Sequence, residues 1–269
     1  MLFILSGGIQ TGKTRWLMCL IEELSALGAT CHGVVSPGIW CKSIAADGST
    51  SFEKLGIEAM LLPQGERLTF ARRCDLASGD GEYDSSWQSM QAGLGWVIPD
   101  AAIEMVNRHF DGLEQESAYV GGQRQCTLTE LQRHATVEYG QSAVERVAAE
   151  KQIQAANQSY AHNRGLLVVD ELGKLELTGG GFTSALRRLE AGPSMLYGSA
   201  LAVVRNRLLE QGREVGQVPG AEQALKSRVE SMLGELAQVW GGAELIAPDA
   251  HGVQRVISAV ISGYNLITM

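Results

Sequence analysis

Gly7-Gly8-Ile9-Gln10-Thr11-Gly12-Lys13-Thr14 fills every position of the pattern G-x-x-x-x-G-K-[ST]. In such a loop the glycines let backbone N–H groups close around phosphate oxygens, with Gly7, Gly8 and Gly12 as the close-approach points and Ile9, Gln10 and Thr11 supplying backbone groups. The ammonium of Lys13 reaches the outer phosphates, and the hydroxyl of Thr14 can ligate Mg²⁺. The flanks suit this reading. Met1-Leu2-Phe3-Ile4-Leu5 is a short apolar run expected to be a buried strand, and Arg15 to Leu27 has the periodicity of a helix, whose amino end attracts anions. Strand, glycine loop and helix in that order predict a three-layer α/β domain with a mainly parallel central sheet, the architecture of P-loop nucleotide-binding proteins.

The complementary half of such a site lies far along the chain. Leu166-Leu167-Val168-Val169 is apolar without alternation, as expected for a central parallel strand buried on both faces, and Asp170-Glu171 follow it directly. Carboxylates at the carboxyl end of a parallel strand emerge at the edge where ligands bind in open α/β sheets, the edge from which the phosphate loop also leaves. Asp170 is the candidate second ligand of Mg²⁺. Glu171 is the candidate base for an attacking water.

The octet Asp170-Glu171-Leu172-Gly173-Lys174-Leu175-Glu176-Leu177 closely resembles the D-E-I-G-K-M-E-L signature of the small nucleoside-triphosphatases of the THEP type. Further segments are similar to that family in order. Gly33-Val34-Val35-Ser36 resembles its second strand, and Gly56 to Leu62 followed by Gly65-Glu66-Arg67-Leu68 resembles its strand-turn-strand. Gly95-Trp96-Val97-Ile98 with the helix after it, and Leu245 to Ile261, resemble the next and the closing elements. The resemblance implies slow hydrolysis of several nucleoside triphosphates, ATP and GTP among them, with Mg²⁺ as cofactor. Weak base selectivity is expected for a second reason: no Asn/Thr-Lys-x-Asp guanine-reading segment is present.

Two stretches depart from the family pattern. The interval between Phe110 and Leu166 is long by loop-length priors, with Asp111 to Gln141 (111–141) read as an addition and as a candidate mobile cover. Ser142-Ala143-Val144-Glu145 forms a capping box that opens a helix ahead of the acidic strand. A second addition is expected over 211–241, with a helix after Pro219-Gly220. The chain, 1–269, reads as one domain carrying these two insertions, which also offer room for a protein partner.

Composition narrows the partners. With 269 residues and 45% apolar content there is material for one substantial core. A formal net charge of −8 argues against a general nucleic-acid or anionic-membrane surface, since both need a basic footprint. The adjacent basic pairs Arg72-Arg73 and Arg187-Arg188 read as solvated edges. No apolar span is long enough to cross a membrane, and the opening run is too short for a signal peptide's central region, so a cytoplasmic location is expected. The five cysteines, Cys19, Cys31, Cys41, Cys74 and Cys126, have no C-x-x-C spacing and are expected as thiols. Cys31-His32 with Cys41 lacks a fourth ligand for a metal site.

Hydrolysis at speed also needs a cation aimed at the transferred phosphoryl group. Lys174 lies within the signature, and Arg205 follows the apolar run Ala200-Leu201-Ala202-Val203-Val204, expected as a strand ending at the same edge. For Lys174 with Glu176, an ion pair bracing the loop is the competing assignment. Arg205 is equally compatible with a surface residue opening a helix. The function that follows is Mg²⁺-dependent cleavage of the terminal phosphate by water, with Lys13, Glu171, Lys174 and Arg205 as catalytic candidates and Thr14 and Asp170 on the metal. Two alternatives stay open: a nucleotide or small-molecule kinase, and a regulatory or transport-associated nucleotide-binding module.

Overall fold

A computed structural model describes residues 1–8, 11–44, 47–77, 84–117, 119, 165–204 and 220–262. The opening apolar run is β1 (Leu2–Leu5), and the helical segment after the glycine loop is α1 (Lys13–Ala26). Next come β2 (Thr30–Val35), β3 (Gly38–Ile44), β4 (Thr50–Leu62) and β5 (Glu66–Arg73). Two helical turns, α2 (Cys74–Ala77) and α3 (Gln88–Gln91), lead to β6 (Trp96–Val97) and the long helix α4 over 100–117. The later part of the chain supplies β7 (Gly165–Leu172), the turn α5 (Lys174–Leu177), α6 (Thr183–Ala191), β8 (Ser199–Val204), α7 (Gly220–Val239), β9 (Ala243–Ile246) and α8 (Ala250–Ser262).

One nine-stranded sheet runs in the order β6-β5-β4-β2-β7-β8-β1-β9, with β3 beside β4. Strands β2, β7, β8, β1 and β9 are mutually parallel. The other four pair antiparallel, so the mainly parallel sheet expected from the sequence is a five-strand parallel core with an antiparallel extension. Connection length explains the difference: β4 and β5 are joined by three residues, Pro63 to Gly65, far too few for a parallel crossover.

Helices cover both faces of the parallel core. Phe3 and Leu5 of β1, Leu166 and Val168 of β7, and Leu201 and Val203 of β8 pack with Leu17, Leu20 and Leu24 of α1 and Val256 of α8. Their neighbours in sequence, such as Leu2, Ile4, Leu167 and Val169, pack the other way, against Val106 and Phe110 of α4, Leu189 of α6 and Val229 and Leu236 of α7. The runs Leu2–Leu5, Leu166–Val169 and Ala200–Val204 are therefore apolar at every position. Full burial of a Leu or Val contributes about 1.5–3 kcal/mol, which offsets the weak start of α1, where Gly12 provides no side-chain cap.

The two expected additions resolve differently. Helix α4 continues through residue 117 and buries Phe110 and Leu113 on one face, so the stretch expected as an addition from Asp111 begins within a helix. Residues 120–141 and the capping box at Ser142 lie outside the described residues. The helix expected after Pro219-Gly220 is α7, and it belongs to the core: Val229 and Leu236 are buried, and Trp240 just beyond it donates from Nε1 to Leu189 O at 2.7 Å.

Candidate active site

Because β1, β2 and β7 are parallel, the chain leaves all three at one edge. Gly12 adopts φ 84°, in the left-handed region where a Cβ would strain the backbone, and hands the chain directly to Lys13 at the start of α1. Among the described residues no side chain caps the amino end of that helix, which leaves its first amide N–H groups without a side-chain cap. Thr11 Oγ1 donates to Gly8 O at 2.9 Å, and Lys13 Nζ donates to Gly7 O and Gly8 O at 2.7 Å each. The lysine thus lies across the loop it belongs to.

Thr14 and Asp170, 156 residues apart in sequence, meet here. Thr14 Oγ1 stands 3.4 Å from Asp170 Oδ2, and the same carboxylate oxygen accepts the N–H of Ser36, at the end of β2, at 3.0 Å. The Ser36 hydroxyl donates to the carbonyl oxygen of Asp170. The pairing of β7 with β8 slips between Val169 and Leu172, an irregularity of the kind that re-aims side chains beside functional sites. It is at this slip that the strand presents Asp170 and Glu171.

Burial pushes the Asp170 carboxyl up to about 7, and the neighbouring charge of Glu171 pushes the same way. The Ser36 N–H, the Thr14 hydroxyl and the charge of Lys13 oppose that shift. A buried carboxylate beside a hydroxyl offers oxygen donors only, a set suited to a hard divalent cation such as Mg²⁺, which would hold Asp170 ionised.

Beyond Glu171 the chain is held firmly. Glu176 accepts N–H bonds from Gly173 at 2.8 Å and Phe182 at 2.9 Å, and its carboxyl is raised by burial against the pull of those amides. The expected Lys174–Glu176 ion pair does not form: Lys174 Nζ donates instead to Ala92 O at 2.6 Å, tying the loop to the turn after α3. Gln88 of α3 and Asn107 of α4 complete the latch. Gln88 Oε1 accepts from Gly181 N, and Asn107 bonds Gly181 O and Ser184 N, each at 2.9 Å. Ser36, Gln88 and Asn107 escaped sequence reasoning, although the polar Ser36 closing an apolar strand was a signal. Ile9, Gln10 and Arg205 lie outside the described residues.

Other expectations separate. Arg187 is exposed, whereas Arg188 is no solvated edge: its side chain is only 12% accessible and its Nη2 lies 3.1 Å from Glu114 Oε1, because α6 packs that face toward α4. Arg73 bonds Glu53 and Asp75. Among the described residues Cys19, Cys31, Cys41 and Cys74 are in no disulfide, and burial pushes Cys31 up to about 12, against the thiolate a metal site would need. Among the described residues no helix is long and apolar enough to cross a membrane.

No family model matches the chain, and no curated protein matches it in sequence. Among solved structures, that of a human cancer-related nucleoside triphosphatase is similar over 98% of this chain and 96% of its own, at 14% identity and a TM-score of 0.48. A likeness at that level speaks to neither substrate nor mechanism.

Proposed function

We propose that the chain binds a nucleoside triphosphate with Mg²⁺ at the carboxyl edge of its parallel strands and hydrolyses the terminal phosphate, with little selectivity for the base. The observation that carries this reading is the meeting of a complete glycine-lysine-threonine loop with a buried carboxylate, Thr14 Oγ1 to Asp170 Oδ2 at 3.4 Å, at the amino end of an uncapped helix. The amides of that helix start and the Lys13 ammonium bind phosphate oxygens, Lys13 exchanging its contacts with Gly7 O and Gly8 O for the ligand.

Thr14 and Asp170 would hold Mg²⁺, which when bound neutralises charge on the phosphate oxygens. Glu171, next to Asp170, orients a water and accepts its proton as the water oxygen bonds to the terminal phosphorus. The bond from that phosphorus to the bridging oxygen then breaks, releasing the nucleoside diphosphate and inorganic phosphate. Glu176 and Lys174 brace the loop behind Glu171 through Gly173, Phe182 and Ala92, and so act on orientation.

The test is phosphate release from purified protein with Mg²⁺ and ATP or GTP in the absence of any acceptor. Multiple turnovers are expected from the wild type and none from Lys13→Ala. Tight triphosphate binding without release would overturn hydrolysis in favour of a phosphotransferase or a nucleotide-binding switch.

A further inference from the structure

Ser36 makes two contacts with Asp170 that do separate things. Its backbone N–H holds carboxylate oxygen Oδ2 at 3.0 Å, while its hydroxyl donates to the main-chain carbonyl of Asp170, part of the peptide that leads into Glu171. The support beneath Ser36 is rigid. Val34 is paired on both sides, to Val169 of β7 and Leu61 of β4, Val35 is paired to Met60 of β4, and Pro37, the residue after Ser36, accepts the N–H of Glu58 at 2.8 Å. Ser36 sits in the two-residue connection from β2 to β3, and its paired neighbours on either side limit how far it can shift, so it can fix the direction of groups bonded to it.

We infer that Ser36 is a positioning residue for both carboxylates at the end of β7, its N–H aiming Asp170 and its hydroxyl setting the peptide from which Glu171 projects. The inference rests on the hydrolysis reading above. It makes a split that a merely structural serine would not make. Ser36→Ala keeps the N–H on Asp170 and deletes only the hydroxyl, so the aim of Glu171 suffers while the Thr14–Asp170 pair stays in place.

The experiment compares wild type, Ser36→Ala and Ser36→Thr by kcat, by calorimetric Kd for a non-hydrolysable triphosphate with Mg²⁺, and by thermal midpoint. Ser36→Ala is expected to lose about 10–100-fold in kcat, the scale of a small misplacement of a reacting group, with Kd and midpoint close to wild type. Ser36→Thr restores most of the rate because it returns the hydroxyl. Ser36→Cys, with a weaker donor of near size, carries the same forecast as Ala if Ala fails to fold. A wild-type kcat in Ser36→Ala overturns the assignment, and so does a rate that falls in step with affinity and midpoint and is not rescued by Thr. A wild-type chain that releases no phosphate overturns the hydrolysis reading itself, and this inference with it.

Discussion

Lys13 rests on two carbonyls of its own loop, so an arriving phosphate competes with neutral dipoles for its ammonium and wins by carrying charge. Replacing Lys13 by Ala removes one charge-assisted contact, about 1.5–3 kcal/mol, and should weaken triphosphate binding ~10–100-fold by calorimetry with the circular dichroism spectrum unchanged. Unaltered affinity would sink the phosphate-loop assignment. The two adjacent carboxylates should part company. Glu171→Gln keeps shape and hydrogen bonding but removes the base, so phosphate release should fall ~10²–10⁴-fold at similar nucleotide affinity. Asp170→Asn should instead raise the Mg²⁺ concentration needed for both binding and rate, with partial rescue by excess Mg²⁺, and a Glu171→Gln enzyme running at the wild-type rate would remove the water-activating role. Lys13, Thr14 and Asp170 were legible because their types and spacings are tied to strand ends and a helix start. Ser36 was not, since a serine at the end of a strand is as readily an ordinary turn residue. The Lys174–Glu176 pair was misread for a physical reason: once buried, the Glu176 carboxylate takes two backbone amides that have no other partner, and the lysine is left to reach Ala92 O.

At the level of elements, the buried runs announced β1, β7 and β8 because a strand covered on both faces has no polar side to blur it. The antiparallel extension was legible as a strand-turn-strand, but its share of the sheet was not, because pairing depends on connection lengths read only after both strands are placed. Helix α7 shows the limit most clearly. Its sequence marks a helix after Pro219-Gly220, yet nothing local says that Val229 and Leu236 close the core over the sheet. Trp240 ties that closure to α6 through Nε1 and Leu189 O at 2.7 Å. Trp240→Phe removes the donor, leaves the Leu189 carbonyl with the longer Gly192 N–H bond at 3.2 Å and shrinks the ring. It should cost about 1–3 kcal/mol in urea denaturation, with little change in the amide exchange of α1 on the opposite face. A stability equal to wild type would mean that α7 is held by its leucines and valines alone.

For the whole molecule the telling group is one that the proposed chemistry does not use. His32 on β2 is 4% exposed, and its buried Nδ1 has no hydrogen-bond partner among the described residues. Burial, helped by the nearby His109, lowers its pKa from 6.5 to about 4. The unfolded chain therefore binds a proton near pH 6.5 that the folded chain does not take until about 4. Stability from this group is fully present above pH 6.5 and is lost as pH falls between those values. The total is about 3 kcal/mol at 1.36 kcal/mol per pKa unit. Asp170 pulls the other way. Raised to about 7 in the folded, metal-free protein, it favours folding at low pH and loses that contribution as pH rises from 3.8. The two slopes offset each other in a plain pH series, so His32 is isolated by difference. Urea denaturation of wild type and His32→Leu across pH 4 to 7.5, without Mg²⁺ or nucleotide, cancels Asp170, which both share. The variant should gain on the wild type by about 2–3 kcal/mol as pH drops from 6.5 toward 4, and the difference should be flat above 6.5. A constant difference across the whole range would show that His32 titrates alike in both states, and that the protein tolerates a buried imidazolium beside Tyr197.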